Sequence, residues 1–393
     1  MVPRLPKFVA FAVAVAAVAL PLRAVLGQTA PTTVAGAPSV VLRSVEHRQP
    51  TATILNEVVL AKQPDRYIGW PSIVATNEGE LIAVFSGDRD WHVCPWGKVM
   101  AVRSRDGGKT WTAPEVIIDT PLDDRDTGVT KLANGDLLIS FNVSLAFDNP
   151  KVDRYKKYQE HAASLDKATR EKWVGPWTIL SKDNGKTWSE PRKSPASTPH
   201  GPTPLKNGGL LYVRPNVLGS TDSGVTWTEL ARIDRDPATW VSRYAFLSEQ
   251  HALEVADGHI IALSRYASKG NADVRLRQME STDGGNTWTQ PTPTEMKGYP
   301  AHLLKLQNGW LLASYGRRIA PMGQRASISK DNGKTWLVDQ EIQLSAAVPQ
   351  GAGDLGYPGS AQLPDGSIWT VYYQVEKQGE QPSLMATHWK LAE

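Results

Sequence analysis

The 393-residue sequence contains a single cysteine, Cys94. One cysteine excludes an intramolecular disulfide bond, so the fold has to be stabilised by its apolar core. The eight histidines are scattered, and neither they nor Cys94 follow the ligand spacing of a zinc site. We therefore predict no metal site and no other cofactor, and we interpret Cys94 as a small buried apolar residue.

Long apolar segments are missing after residue 20, so we expect no membrane span in the mature chain. The one apolar run, residues 8–20, follows Arg4 and Lys7 and is too short to cross a bilayer comfortably. This pattern is typical of a secretory signal peptide. We assign the signal peptide to residues 1–27, which predicts a secreted or periplasmic protein.

An excess of charge is lacking as well. The formal net charge is +3, and the three positive charges of Arg4, Lys7 and Arg23 account for all of it. A mature chain without net charge argues against nucleic acid as a partner. The sequence also lacks a glycine-rich phosphate loop and the serine of a nucleophile elbow, which excludes the active sites built on those two motifs.

The sequence does contain an eight-residue motif, Ser-x-Asp-x-Gly-x-Thr-Trp, five times. Asp can accept hydrogen bonds from nearby backbone amides and Gly tolerates a positive φ, so the motif predicts the tip of a β-hairpin. We expect the Trp to cover the turn as a local apolar plug. Five near-identical copies indicate a repeated structural unit rather than five ligand sites. The copies span residues 104–111, 181–188, 220–227, 281–288 and 329–336.

A second repeat alternates with the first and predicts six inner hairpins. Each pairs two runs rich in Val, Ile, Leu, Tyr and Phe across a tight Asn-Gly or Asp-Gly type of turn. Six inner hairpins and their outer hairpins make six four-stranded sheets, which close most economically as an all-β, six-bladed β-propeller. The sixth blade lacks the motif, and we expect residues 52–61 to supply its outer strand. The turns contain Gly79, Gly135, Gly208, Gly258, Gly309 and Gly366.

This assignment places one propeller domain at residues 52–393, preceded by a linker at residues 28–51. All-β folds of this length still form single domains, and we expect the protein to be a monomer. Residues 149–175 break the β pattern because Lys, Glu, Gln and Ala crowd together there. They predict a short helical insertion in blade 2, which we interpret as a solvated decoration.

Ionisable residues concentrate at the ends of the inner strands opposite the hairpin turns, and these ends all face one mouth of the ring. Structural roles seldom require so many ionisable groups around one axis, whereas a pocket for an anionic or sugar-like ligand does. The predicted mouth residues include Asp126, Glu249 and Tyr357 at strand starts and Arg89, Arg265 and Arg318 at strand ends.

The motifs and hairpins resemble those of the sialidase (neuraminidase) superfamily, whose bacterial members are six-bladed propellers carrying such BNR repeats, or Asp boxes. Residues 248–265 are similar to the sialidase segment in which a Glu starts one inner strand and an Arg ends its partner. Residues 356–368 resemble the segment that carries the nucleophilic tyrosine. The resemblance implies that Tyr357 is a nucleophile, that Glu249 takes its phenol proton, and that Arg265 belongs to a carboxylate-binding arginine triad.

Two triad positions depart from the sialidase pattern. In blade 1, no arginine occupies the stretch that leads to Trp70, and Arg66 or Arg89 is the candidate replacement. The last triad arginine is Arg325, or else Arg317 or Arg318.

The acid/base position departs as well, since the expected Asp is replaced by His92, two residues after Asp90. Histidine can act as a general acid or base near neutral pH. We include His92 and Asp90 among the catalytic candidates. Asp126, His251 and Trp91 complete the predicted substrate-binding set, with Trp91 as a stacking wall for a sugar ring.

Three functions are compatible with these residues. The first is an exported exo-glycosidase of the sialidase type, which releases terminal acidic sugars from glycoconjugates with retention. The second keeps the pocket but is a polysaccharide lyase, or another glycosidase, acting on uronic-acid or deoxy-sugar polysaccharide. The third is a carbohydrate-binding propeller without catalysis. In each case the expected partner is a glycan or oligosaccharide.

Overall fold

The computed structural model describes residues 41–43, 47–233, 246–267, 273–347 and 353–392. The predicted signal peptide lies outside these residues. The described strands form six antiparallel sheets arranged as the blades of a β-propeller. The six-bladed all-β architecture predicted from the repeats is therefore confirmed.

Each of the first three blades contains four strands, which follow one another along the chain from the inner to the outer edge. Blade 1 has β4 (Tyr67–Ala75), β5 (Leu81–Arg89), β6 (Lys98–Ser104) and β7 (Glu115–Ile118). Blade 2 has β8 (Asp123–Lys131), β9 (Leu137–Ser144), β10 (Gly175–Ser181) and β11 (Arg192–Lys193). Blade 3 has β12 (Thr203–Pro204), β13 (Leu210–Tyr212), β14 (Asn216–Ser220) and β15 (Thr228–Arg232).

The last three blades also run from the inner to the outer edge. Blade 4 has β16 (Phe246–Ala256), β17 (His259–Ala267), β18 (Arg275–Ser281) and β19 (Thr292–Lys297). Blade 5 has β20 (Ala301–Lys305), β21 (Leu311–Arg317), β22 (Gly323–Ser329) and β23 (Ile342–Ala346). Blade 6 has β24 (Gly356–Gln362), β25 (Ile368–Gln374), β26 (Ser383–Leu391) and β3 (Ala52–Ala61).

Blade 6 joins the two ends of the described chain. Strand β3 pairs antiparallel with β26 along its whole length, as the sequence predicts for residues 52–61. Two short strands, β1 (Val41–Arg43) and β2 (His47–Arg48), add to the outer edge of β3, so this part of the predicted linker runs along the sheet. The closure replaces an exposed sheet edge with backbone hydrogen bonds.

The apolar core lies between neighbouring blades rather than at the centre of the ring. Strand β5 illustrates the cause, since Leu81, Ala83 and Phe85 pack towards blade 6. The alternate residues Ile82 and Val84 pack towards blade 2. Side chains of a strand alternate between the two faces of its sheet, and both faces of a blade are covered.

The repeated motif forms the turn between the third and fourth strands of blades 1 to 5. In the first copy, Asp106 accepts hydrogen bonds from the backbone amide of Thr110 at 2.9 Å and from its hydroxyl at 2.6 Å. The Gly108 amide donates to the Ser104 hydroxyl at 2.8 Å. Trp111 covers its own turn, as predicted, by donating from its indole N–H to the Gly108 carbonyl at 3.1 Å, and it also packs on Trp369 of blade 6 with ring centroids 5.6 Å apart.

Three short helices connect β9 and β10 of blade 2: a 3-10 helix (Asp153–Tyr158), α1 (Gln159–Ser164) and α2 (Lys167–Trp173). Asp166 caps α2 by accepting a hydrogen bond from the Thr169 amide. Tyr158 and Ala162 are buried in the apolar cluster between blades 1 and 2. The insertion is therefore packed on the propeller and is more than a solvated decoration. A second 3-10 helix, Val338–Gln340, precedes β23. None of the helices within the described ranges is long and apolar enough to cross a membrane.

Candidate functional site

Four inner strands share a β-bulge near their start, and the bulge directs their side chains to the mouth of the ring. The residue in each bulge has a positive φ of 50° to 55°, a conformation that side chains other than Gly seldom adopt. Such strain persists where the surrounding structure enforces it, which is common at functional sites. The four residues are Trp70, Asp126, Glu249 and Tyr357.

Tyr357 and Glu249 are in direct contact across the mouth. The Tyr357 hydroxyl donates a hydrogen bond to Oε1 of Glu249. Nη1 of Arg265 lies 3.1 Å from Oε1 and 3.0 Å from Oε2 of the same carboxylate. Burial raises the pKa of the Tyr357 phenol well above its ordinary value, and the Glu249 charge raises it further. The structure thus brings together the three residues that the sialidase resemblance selected with most support.

Arg318 is the arginine of blade 5 that reaches the mouth. Its guanidinium lies 5.8 Å from the Tyr357 ring centroid and 5.6 Å from that of Tyr299. Arg265 lies over the same Tyr299 ring at 4.3 Å. Arg318 donates to the Leu355 carbonyl at 2.8 Å and to the Tyr373 hydroxyl at 3.1 Å. Within the described ranges, no carboxylate forms a salt bridge with Arg318.

Arg125 is a third guanidinium at the mouth, and no pattern in the sequence marks it. Its guanidinium lies 4.4 Å from the ring centroid of the fully buried Trp70. Nε of Arg125 is 3.3 Å from the carboxylate of Asp126, so the negative charge of this predicted binding residue is partly balanced by Arg125. In a regular strand only one of the neighbours Arg125 and Asp126 would face the mouth, because side chains alternate between the two faces. The bulge breaks this alternation and brings both side chains to the mouth.

Asp354, also missed, lies in the loop before β24 and connects several groups at the mouth. Its carboxylate accepts hydrogen bonds from Tyr373 at 2.6 Å and from Tyr67 at 2.9 Å. Burial raises the pKa of Asp354, but contacts with His92, Tyr373 and Tyr67 outweigh burial and lower that pKa to about 2. No sequence motif marks Asp354, because its position depends on how a loop folds back.

His92 is held by this group of residues. Its Nδ1 lies 3.2 Å from the Tyr67 hydroxyl and 3.7 Å from Oδ2 of Asp354. Because the Tyr67 hydroxyl donates to Asp354, it accepts from His92, which places a proton on Nδ1. Nε2 of His92 is thereby left for a substrate. His92 also meets the Trp70 ring edge-on, with centroids 4.9 Å apart.

An open cavity of about 370 Å³ lies at the mouth and is bordered by His92, Asp354 and Arg318. The helical insertion, interpreted from the sequence as a solvated decoration, contributes part of its wall. The guanidinium of Arg154 lies 5.7 Å from the ring centroid of Trp91, which is 42% exposed. The position of Trp91 is compatible with the predicted stacking wall. The cavity is lined by Trp91, His92, Val93, Arg154, Tyr155, Arg318, Gly353 and Asp354.

Asp90, a predicted catalytic residue, lies beside this cavity and is paired with basic residues. Asp90 pairs with Arg66 and lies 3.4 Å from Nζ of Lys157. It lines a neighbouring cavity of about 300 Å³ together with Tyr158 of the insertion. Arg66 is also bound to Asp88 at 2.9 Å, so this candidate replacement for the triad arginine is already paired.

Two predicted substrate-binding arginines are buried in salt bridges and do not line the cavity at the mouth. Arg89 is completely buried and pairs with Asp123 at 2.7 Å between blades 1 and 2, because the end of β5 turns it into the protein. Arg325 is 3% exposed and lies 3.3 Å from Glu341, because it sits on the third strand of blade 5. The blade 5 arginine at the mouth is Arg318.

His251, also predicted to bind substrate, does not line the cavity at the mouth. His251 is 8% exposed and lies in the central channel, where its Nδ1 accepts a hydrogen bond from the Leu303 amide at 2.9 Å. The bulge at Glu249 causes this, since it rotates the following residues away from the mouth. Cys94 is buried and reduced, as predicted. Within the described part of the chain, no group of three or more His, Cys, Asp or Glu residues could hold a metal ion.

The family model described as "BNR repeat-like domain" matches residues 161–370, which is more than half of the chain. A search of curated proteins finds no significant match. Among solved structures, a protein of unknown function from Dyadobacter fermentans is 25% identical, with a TM-score of 0.70 over 89% of this chain and 99% of that chain.

Sialidases are among the similar structures. The NanB sialidase of Streptococcus pneumoniae is 13% identical, with a TM-score of 0.59 over 89% of this chain and 70% of that chain. The Hadza microbial sialidase Hz136 is 17% identical, with a TM-score of 0.59 over 88% of this chain and 74% of that chain. At these identities the similarity establishes the fold alone.

Proposed function

This chain belongs to the BNR repeat-like domain family and has a sialidase-like propeller fold, and from that premise we propose that it is a retaining exo-glycosidase. Its substrate is a glycoconjugate with a terminal acidic sugar of the sialic-acid type, and the protein is exported. The observation that carries the proposal is the hydrogen bond from the Tyr357 hydroxyl to Glu249, with two guanidinium groups beside it.

Tyr357 is the nucleophile in this proposal. Glu249 accepts the phenol proton while the Tyr357 oxygen attacks the anomeric carbon and the glycosidic C–O bond breaks. His92 donates a proton from Nε2 to the departing oxygen, and Asp354 stabilises the protonated imidazole. Water, deprotonated by His92, then displaces Tyr357 from the glycosyl intermediate, and Glu249 returns the proton to the phenolate.

A neutral nucleophile suits an acidic sugar, because a carboxylate nucleophile would be repelled by the substrate's own carboxylate. Arg318 and Arg265 supply positive charge beside Tyr357, over the Tyr299 ring. A bidentate contact from either guanidinium would hold the substrate carboxylate in a fixed orientation.

A second candidate function, elimination from a uronic-acid polysaccharide, is favoured by two specific features. In blade 1, no arginine occupies residues 67–71, where the sialidase pattern leads one to expect one, and His92 replaces the acid/base Asp. In this reaction His92 removes the proton beside the carboxylate, the C–O bond to the leaving sugar breaks, and a C=C bond forms. Tyr357 protonates the leaving oxygen and regains a proton from solvent, and His92 releases to solvent the proton that it removed from the sugar.

The two reactions are separated by incubating the full chain with a fluorogenic sialoside and, in parallel, with uronic-acid polysaccharides. Free fluorophore reports hydrolysis, whereas ultraviolet absorbance of an unsaturated sugar reports elimination. Tyr357→Phe should abolish turnover, because it removes the nucleophile. Tyr372→Phe is the matched control, since its hydroxyl contacts Thr387 within blade 6.

Release of the fluorophore by the parent protein and its loss in Tyr357→Phe would support the glycosidase. An unsaturated product would instead support the lyase. Glycan binding without turnover, unchanged by Glu249→Gln, would favour a carbohydrate-binding propeller. Unaltered hydrolysis by Tyr357→Phe would refute the role of Tyr357.

A further inference from the structure

A third cavity opens in the central channel on the face of the ring opposite the mouth. Its volume is about 310 Å³, which is within the range of small-molecule sites. It is formed by the parts of the inner strands that lead to the hairpin turns, and it shares no lining residue with the cavity at the mouth. Its apolar walls include Val74, Val129, Pro202, Leu253 and Leu303.

Three histidines from three consecutive blades meet in this cavity. His200 precedes β12, His251 lies on β16 and His302 lies on β20. Their ring centroids are 4.5 to 5.4 Å apart, and the rings of His251 and His302 are stacked. Burial lowers the pKa of all three, to about 4 for His302, so the rings are neutral at physiological pH.

Backbone hydrogen bonds determine where two of these rings carry their proton. Nδ1 of His251 accepts from the Leu303 amide at 2.9 Å, and Nδ1 of His302 accepts from the Ser360 amide at 3.3 Å. A backbone N–H is always a donor, so Nδ1 is unprotonated in both rings and Nε2 carries the hydrogen. Each ring therefore presents an N–H donor rather than a metal-binding lone pair.

Two further groups in this cavity lack a protein partner within the described ranges. Both ring nitrogens of His200 are buried and make no hydrogen bond. Buried polar groups in native proteins are almost always paired, with protein, water or ligand. Lys131 lines the cavity without a salt bridge to any described residue, and burial lowers its pKa. Among the residues that the structure describes, no Asp or Glu lines the cavity.

We propose that this channel cavity binds a small organic carboxylate. The Nε2–H groups of His251 and His302 donate to the carboxylate, His200 supplies a third contact, and Lys131 balances the negative charge. The apolar walls take a short hydrocarbon portion. The site is independent of the reaction at the mouth, because none of these residues belongs to it.

Isothermal titration calorimetry of the full chain with sodium hexanoate tests the proposal, with hexan-1-ol as the neutral probe of equal chain length. We expect one hexanoate per chain and affinity for hexanol weaker by at least about tenfold, because hydrogen bonds to a charged group are the stronger ones. His251→Asn and His302→Asn each retain an acceptor for the backbone amide but remove the Nε2–H donor. Each should weaken hexanoate binding by about tenfold or more.

Two further variants complete the design. Lys131→Met should weaken hexanoate but not hexanol. His259→Asn is the control, since His259 contacts Glu280 on the surface of blade 4, and it should bind like the parent protein. Thermal unfolding identifies any variant that does not fold.

Equal affinity for hexanol and hexanoate would overturn the proposal and leave a simple apolar cavity. It would also be overturned by the lack of hexanoate binding to the folded parent protein, which would indicate a channel filled with water. Unchanged hexanoate affinity in folded His251→Asn, His302→Asn and Lys131→Met would overturn it as well.

Discussion

Glu249→Gln is the substitution whose effect follows most directly from the structure. The parent carboxylate accepts the Tyr357 hydroxyl and is paired with Arg265 at 3.0 Å. Gln keeps the size of the side chain and an acceptor oxygen, but it cannot take a proton. We therefore expect the variant to fold and to lose most of the proposed hydrolysis.

The size of the expected loss in kcat follows from the small fraction of Tyr357 that is ionised. A tyrosine with its ordinary pKa is ionised to about one part in a thousand at pH 7. The pKa of Tyr357 is raised above that by burial and by Glu249, so its phenolate is rarer still. The reaction then depends on the base, and general bases contribute about 10²- to 10⁴-fold in rate. The expected loss in kcat is of that order, or roughly 3 to 5 kcal/mol in activation free energy.

The assay is the pH dependence of kcat with a fluorogenic sialoside. The substitution removes a negative charge beside Tyr357, so the pKa of the phenol in the variant should be lower than in the parent, although burial still raises it. The variant should regain activity as the pH rises and phenolate forms without a base. The parent protein should show no such rise over the same alkaline interval.

Glu280→Gln serves as the control, because Glu280 contacts His259 at 3.1 Å on the surface of blade 4. It should leave both kcat and the pH profile unchanged. The reasoning is wrong if folded Glu249→Gln keeps more than about a tenth of the parent kcat at neutral pH. It is also wrong if the variant loses activity but its pH profile keeps the shape of the parent profile, since that pattern indicates a merely structural effect.

Three further predictions concern binding and stability. Arg318→Met should raise KM for a carboxylated substrate by about 10- to 100-fold, whereas Arg317→Met, which alters a contact with Glu341, should change it much less in the same steady-state assay. Gly108→Ala should lower the free energy of unfolding by about 2 kcal/mol or more in urea, because φ is +90° and the new Cβ would lie 2.2 Å from the Trp369 ring; an unchanged urea midpoint would contradict this. Hydrogen bonds from Thr110 lower the pKa of Asp106 to about 2, so its stabilising contribution is present above pH 4 and is lost as the pH falls towards 2. Asp106→Asn should consequently flatten part of the decrease in thermal unfolding temperature over that interval.

The architecture could be predicted from the sequence because its determinants are local. Each turn motif carries its own hydrogen bonds, as between Asp106 and Thr110, and each inner hairpin carries its own turn. The count of these units then specifies six blades. Closure by residues 52–61 followed from the missing outer strand of the last blade.

Part of the site could be predicted for the same reason. Glu249, Arg265 and Tyr357 lie at strand starts and ends, which all face one side of the ring. The bulges limited this reasoning, because a rule of alternating side chains does not anticipate a residue with φ near 50°. The bulges leave His251, predicted to bind substrate, in the central channel and bring Arg125, which no sequence pattern marks, to the mouth.

Long-range packing accounts for the remaining errors. Whether an arginine at a strand end faces the mouth depends on the acidic residue with which it forms a salt bridge. Arg89 forms its salt bridge with Asp123 of the neighbouring blade. Asp354 approaches Tyr67 from a position 287 residues away in the chain. Neither contact leaves a local pattern in the sequence.

The charges at the mouth indicate how substrate binding and proton transfer are connected in the proposed reaction. Arg318 forms no salt bridge with a described residue, so its guanidinium is available to a substrate carboxylate from the start. Arg265 is paired with Glu249 until that carboxylate accepts the phenol proton and becomes neutral. At that moment Arg265 loses its ionic partner, and the substrate carboxylate is the nearest replacement. Formation of the nucleophile and the second arginine contact would then strengthen each other in the transition state, which is where binding energy accelerates a reaction.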